Sequence, residues 1–149
     1  MKTQILIMSF LTMGLFACAQ TPPKQVTNAF QAKFQQVKKV TWNQEEATEW
    51  EAEFHMNGKE MSASFDPSGK WLETETDISK GDLPEGVKST LNKQYAGYKI
   101  KETVIVESPE FSGYEIEMEK GETNIEVQLN SSGKVVSQKS SSDEDGDND

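Results

Sequence analysis

The chain has 149 residues, and its 25 carboxylates against 15 basic groups give a net charge of −10. Every basic group is a lysine. Arginine, the usual fork for phosphate, is absent, and an acidic surface repels a phosphate backbone, so nucleic acid is excluded as a partner. Cys18 is the single cysteine, which rules out an internal disulfide and leaves stability to burial.

A signal segment is expected over 1–17. Lys2 supplies the positive start, and 5–16 is an apolar run about one h-region long, too short to span a bilayer. Two cleavage sites fit the residues at its end. Leu15-Phe16-Ala17-Cys18 resembles a lipobox, whose cysteine is diacylated, whereas Ala17-Cys18-Ala19 fits ordinary signal peptidase with cleavage after Ala19. The lipoprotein form is favoured, with Cys18 lipidated and a linker over 18–22. The alternative is a soluble periplasmic or secreted chain. Either cut places the protein in the periplasm or cell envelope, touching a membrane only through a lipid anchor.

The next stretch carries helical spacing. Val26, Ala29, Phe30, Lys33 and Phe34 recur at three and four residues, with Pro22 and Pro23 tolerated in the first turn. The period then changes to two. A strand is expected over 40–43. In the following strand Trp50, Ala52, Phe54 and Met56 alternate with Glu51, Glu53 and His55, and Asn57-Gly58 forms a two-residue hairpin turn. Met61, Ala63 and Phe65 return against Ser62 and Ser64. Asp66-Pro67-Ser68-Gly69 makes a second turn into a strand through Trp71 and Leu72.

The same course then runs again. Val87, Leu91 and Tyr95 come after Leu83-Pro84 at helical spacing, and strands are expected over 100–107, 114–119, 125–130 and 135–138, with turns at Lys120-Gly121 and Ser131-Ser132-Gly133. Pro23-x-x-Val26-x-x-x-Phe30-x-x-x-Phe34 recurs as Pro84-x-x-Val87-x-x-x-Leu91-x-x-x-Tyr95. Trp50-Glu51-Ala52-Glu53-Phe54 recurs as Tyr114-Glu115-Ile116-Glu117-Met118, and Phe65-Asp66-x-Ser68-Gly69-Lys70 as Leu129-Asn130-x-Ser132-Gly133-Lys134, all at an offset of about sixty residues. An internal duplication over 23–78 and 82–138 is the expected organisation. The fold class is α+β: two tandem units of a helix plus an antiparallel meander, about eight strands, with both helices on one face. The serines and carboxylates over 139–149 lack apolar anchors and read as a disordered acidic tail. Its Asp-x-Asp rhythm lacks the glycine position and the final glutamate of a calcium loop.

His55 is the single histidine and the obvious general base near neutral pH. Its strand phase places it with Glu51 and Glu53, away from the apolar side, and the second unit carries Glu119 in its place, so a surface histidine is expected and no catalytic residue. Glu115, Glu117, Glu119 and Glu126 continue the same polar side, read as a flat, solvated sheet face able to dock a basic partner. No metal or other cofactor is expected. Trp42 and Trp71, near strand ends, are the aromatic candidates for partner contact. With Glu51, Glu53, His55, Glu115 and Glu117 they make up the expected contact set.

The run Val26-x-x-Ala29-Phe30-x-x-Lys33-Phe34, then Val40-x-Trp42, Trp50-Glu51-Ala52-Glu53-Phe54, Asn57-Gly58-Lys59-Glu60, Phe65-Asp66 and Gly69-x-Trp71-Leu72-Glu73-Thr74-Glu75 resembles the PepSY-like family of extracytoplasmic bacterial proteins, also described as β-lactamase-inhibitor-like. The second unit, from Leu83-Pro84 through Tyr95-x-Gly97-Tyr98-Lys99-Ile100 to Gly133-Lys134-Val135, is similar to it as well. The resemblance spans about residues 23–138. It implies a tandem, exported, non-catalytic binding module with a fold like that of the β-lactamase inhibitory protein. Such a module would act as an inhibitor or modulator of an unidentified protein in the envelope. In that protein the partner docks on a sheet face and its loops. By that analogy the corresponding surface here would be the acidic face with the hairpin tips at Asn57-Gly58 and Lys120-Gly121. Binding of a small ligand or a cation such as calcium on the carboxylate face is the alternative.

Overall fold

The structure, a computed structural model, describes residues 21–142. The expected signal segment, Cys18 and the stretch 143–149 lie outside the described residues. The elements in order are α1 (Lys24–Lys33), β1 (Val40–Glu46), β2 (Glu49–Met56), β3 (Lys59–Phe65) and β4 (Trp71–Asp77), then a short 3-10 turn (Lys80–Asp82). The second half has α2 (Glu85–Gln94), β5 (Lys99–Glu107), β6 (Ser112–Lys120), β7 (Thr123–Leu129) and β8 (Val135–Ser142). All eight strands form one antiparallel meander in chain order. Its two halves are joined by direct pairing of β4 with β5, from Thr74 opposite Glu107 to Asp77 opposite Val104.

Register assigns the faces. Trp50, Ala52 and Phe54 of β2 lie opposite Phe65, Ala63 and Met61 of β3, and these side chains meet Val26, Phe30 and Phe34 of the first helix. In the second half Ile116 and Met118 lie opposite Val127 and Ile125, and these meet Val87, Leu91 and Tyr95. Following the pairs across β4 and β5 keeps both apolar sets on the same side, so the two helices cover one face of the continuous sheet. The period-two alternation is satisfied by that cover, as expected for an antiparallel sheet with one apolar side.

The connections explain the strand ends. Asn57 and Gly58 both take positive φ, 55° and 77°, the pairing that a right-twisted two-residue hairpin demands. The second hairpin turns one residue later than expected, at Gly121-Glu122, because Lys120 still pairs with Thr123. Asp66 and Asn130 build the same turn. Each side-chain oxygen accepts from the backbone N–H two and four residues on, at 2.8 and 3.0 Å for Asp66 and 3.1 and 3.0 Å for Asn130. It also accepts a serine hydroxyl, from Ser68 at 2.6 Å and Ser132 at 2.7 Å. Strand β8 continues to Ser142, taking in the stretch from Lys139 that the sequence reading gives to the tail. Pairing of Lys139, Ser140 and Ser141 with Glu126, Ile125 and Asn124 overrides their polar composition.

Gly133 closes the last turn against the second helix. Its φ is 85°, and a Cβ there would strike the backbone carbonyl of Gly86 and crowd Thr90 Oγ1. Gly133→Ala is expected to cost about 2–3 kcal/mol, from left-handed strain plus the clash. Gly58→Ala, at φ 77° in open space, should cost only about 1 kcal/mol. Chemical unfolding of the two variants measures the difference, and equal losses would contradict the close packing of this turn on α2.

Candidate functional site: a carboxylate-lined sheet face

Opposite the helices, every strand from β2 to β7 projects polar side chains. Glu51 and Glu53 of β2 lie across from Ser64 and Ser62 of β3, and these from Glu73 and Glu75 of β4. In the second half Glu102 of β5 faces Glu117 of β6, Glu115 faces Gln128 of β7, and Glu126 faces Lys139 of β8. A flat sheet would leave these groups in water, as the sequence reading expects. The structure instead leaves Glu51 only 3% exposed, Glu115 8% and Gln128 1%.

Curling of the sheet accounts for the difference. Glu126 and Lys139, three and four strands from β4, act electrostatically on the Glu73 carboxyl. In a flat sheet those strands would stand about 14 and 19 Å away. A single cleft of about 180 Å³ is lined by residues of β4 through β8, among them Glu75, Glu115, Glu126 and Lys139. The carboxylate side is therefore the inside of the curve, where side chains from both halves shield one another. Val104 and Val106, 4% and 0% exposed, belong to this inner side and supply apolar surroundings in its middle.

Burial among like charges holds protons on these acids. Burial first, then the charges of Glu115, Glu73, Glu51 and Glu102, pushes Glu75 up to about 9. Glu115 is raised to about 8 by burial and by Glu126, against a hydrogen bond in which Gln128 Nε2 donates to its Oε2 at 3.0 Å. Burial and Glu49 bring Glu73 to about 7. Glu102, Glu126 and Asp77 are also raised, burial being the main cause in each. Two acceptors in this group, Glu126 Oε1 and Gln128 Oε1, are buried without a hydrogen-bond partner. Such groups are costly to leave unsatisfied, and each can accept from a further donor. Among the described residues no three His, Cys, Asp or Glu side chains are arranged to hold a metal ion.

The expected contact residues do not form one surface. Glu51, Glu53, His55, Glu115 and Glu117 lie on the inner side. His55 is exposed and sits across the hairpin from Glu60, with Ser62 and Ser64 opposite Glu53 and Glu51. Trp42 and Trp71 are half-buried on the helix side instead. The Trp42 ring lies 5.3 Å from Phe30 and 6.4 Å from Phe65. Trp71 donates from Nε1 to the Glu73 carbonyl at 2.7 Å and to Thr74 Oγ1 at 2.9 Å, under the Lys33 ammonium at 3.8 Å. Their place is packing of the first helix. Sequence reasoning missed Glu73, Glu75, Glu102, Gln128 and Lys139. The Glu-Thr alternation from Glu73 to Asp77 was the available signal, and it marks a central strand.

A family described as "Putative beta-lactamase-inhibitor-like, PepSY-like" matches residues 48–137. The chain belongs to the PepSY-like family. The match runs from the start of β2 into β8, leaving the first helix and β1 outside it. Solved structures similar to this PepSY-like chain include a DUF2874 family protein from Bacteroides ovatus, at 24% identity and TM-score 0.74, covering 83% of this chain and 91% of that one. A BLIP-like protein from Bacteroides fragilis is 20% identical with a TM-score of 0.72 over 87% of this chain and 93% of that one. A Bacteroides eggerthii structure described as "putative periplasmic proteins" is 20% identical with a TM-score of 0.71, over 81% and 90%. These likenesses carry the α+β fold with its eight-stranded sheet. Among curated proteins none matches the chain. No helix among the described residues is long and apolar enough to cross a membrane.

Proposed function

We propose that this PepSY-like protein is a non-catalytic, extracytoplasmic binding module whose curled carboxylate face receives a basic segment of an envelope or secreted protein, inhibiting or modulating it. The observation that carries the reading is a cleft crowded with carboxyls in which Glu126 Oε1 is buried without a hydrogen-bond partner. A lysine or arginine side chain entering the cleft would donate to that oxygen and, once Glu75 and Glu115 release their protons, pair with their carboxylates. The inhibitor-like family and fold agree with docking on a sheet face. The apolar run after Lys2 and the periplasmic description of a structural neighbour support an exported chain, lipid-anchored at Cys18 or cut after Ala19. Two copies of one helix-plus-meander unit remain the proposed organisation. The matching Asp66 and Asn130 turns and the matching packing of the two helices support it.

A tetralysine peptide tests the docking chemistry by calorimetry. Its binding has to displace protons from Glu75 and Glu115, so affinity is expected to rise by about tenfold or more as the pH goes from about 6 to about 9, with proton release. The Glu75→Gln, Glu115→Gln double variant is expected to lose that dependence. Binding that is equally tight at both pH values and in the variant would show that the peptide sits elsewhere.

A further inference from the structure

The two helices cover unequal packing. Under α1, Phe30, Phe34 and Phe54 close on one another with ring centroids 4.7 to 5.2 Å apart. Register puts Met118 where Phe54 stands, each opposite the first residues of the strand that comes after its helix, Ile100 and Val40. Leu91 takes the place of Phe30 on the helix, and Thr103, opposite Ile116, that of Trp42, opposite Ala52. Rings that fill the first half are thus replaced by a leucine, a methionine and a threonine on the same backbone. A groove of about 520 Å³ lies beside α2, with Leu83, Leu91, Tyr95, Tyr98, Ile100 and Met118 as its apolar lining. That size falls among small-molecule sites, roughly 300–1,000 Å³.

Its charge is opposite to that of the chain. In a protein of net −10, the side chains lining the groove that are charged at neutral pH are Lys80 and Lys88. A third cation, Lys120, reaches to 5.5 Å from the ring of Tyr98 on the groove wall. Lys80 is exposed, and Lys88 makes a surface ion pair with the almost fully exposed Glu85, an interaction that contributes little. An apolar slot rimmed by lysines is complementary to a chain with an anionic head. From this juxtaposition of ring-to-aliphatic replacement and lysine rim, we infer that the groove beside α2 binds a fatty-acid anion, its acyl chain along Leu91, Tyr98, Ile100 and Met118 and its carboxylate at Lys80 and Lys88. The site lies on the helix side of the sheet and is independent of the carboxylate cleft.

Calorimetric titration of the folded protein with dodecanoate below its micelle concentration tests the assignment, with 1-dodecanol as the uncharged head-group control. Saturable binding of dodecanoate is expected, with much weaker binding of the alcohol. Lys80→Glu with Lys88→Glu, both changes at the rim, should weaken dodecanoate by about tenfold or more. Met118→Phe, which supplies the ring that Phe54 gives the first half, should fill the slot and remove binding. Absence of saturable dodecanoate binding, equal binding of the two amphiphiles, or full affinity in the lysine double variant would each overturn the inference. The lysine variant decides it even if Met118→Phe fails to fold.

Discussion

Phe30→Ala is expected to lower the free energy of unfolding by about 3–5 kcal/mol. Phe30 is 3% exposed and stands at the centre of an aromatic group: its ring centroid lies 5.2 Å from Phe34, 5.3 Å from Trp42, 5.1 Å from Phe54 and 6.3 Å from Phe65. Removing it forfeits the ring's own burial and leaves four neighbours facing a hole that α1 cannot close without leaving the sheet. Small domains are stable by only about 5–15 kcal/mol, so the first half would be close to melting. Leu91→Ala, at the matching place in α2, removes less surface and fewer ring contacts, and is expected to cost about 2–4 kcal/mol. Urea unfolding of both variants gives the comparison. A loss below about 1 kcal/mol for Phe30→Ala would mean that the first helix is not held by this group.

Stability is also expected to fall as the pH rises, the reverse of the usual behaviour of paired surface carboxylates. Glu73, Glu75 and Glu115 are raised from 4.5 to about 7, about 9 and about 8, burial leading in all three. Above pH 4.5 the unfolded chain has given up these protons while the folded chain still holds them, so the folded state binds more protons and each rise in pH favours unfolding. The stabilisation is present in full below that value and is lost progressively until the pH passes the folded values, ending near 9 for Glu75. A total loss of about 2–4 kcal/mol between pH about 5 and about 9 is a conservative expectation for three partly solvated groups. Glu75→Gln keeps the shape without the charge and is expected to flatten the profile, leaving the variant more stable than the parent by about 1–3 kcal/mol near pH 9. Thermal melts across this range check both statements. A parent most stable above neutral pH would contradict them.

Local pattern made most of the fold legible. Helical spacing at Val26, Phe30 and Phe34 and at Val87, Leu91 and Tyr95 leaves one covered face, and each alternating run has a turn residue of the right chemistry at its end. The strand joining the halves was less visible. Glu73 to Asp77 carries glutamate and threonine where a central strand is usually apolar, and it pairs on both sides because β3 and β5 bring it into register. Curling was not legible, since it is a property of eight strands together. Alternation assigns Glu51 and Glu115 to a polar side but contains no measure of how far β8 comes round toward β4. The side on which the tryptophans pack was not legible for a related reason. Position near a strand end says nothing about whether a helix lies over it, and α1 lies over Trp42 and Trp71.

Site-specific NMR of the glutamate side-chain carboxyl carbons during a pH titration tests most directly whether the carboxylate face is a shielded cleft. Glu75 is expected to titrate with a midpoint near 9 and Glu115 near 8, far above the ordinary 4.5, while the folded spectrum persists. Midpoints for both close to 4.5 would mean that water reaches these groups freely and that the sheet does not curl over them.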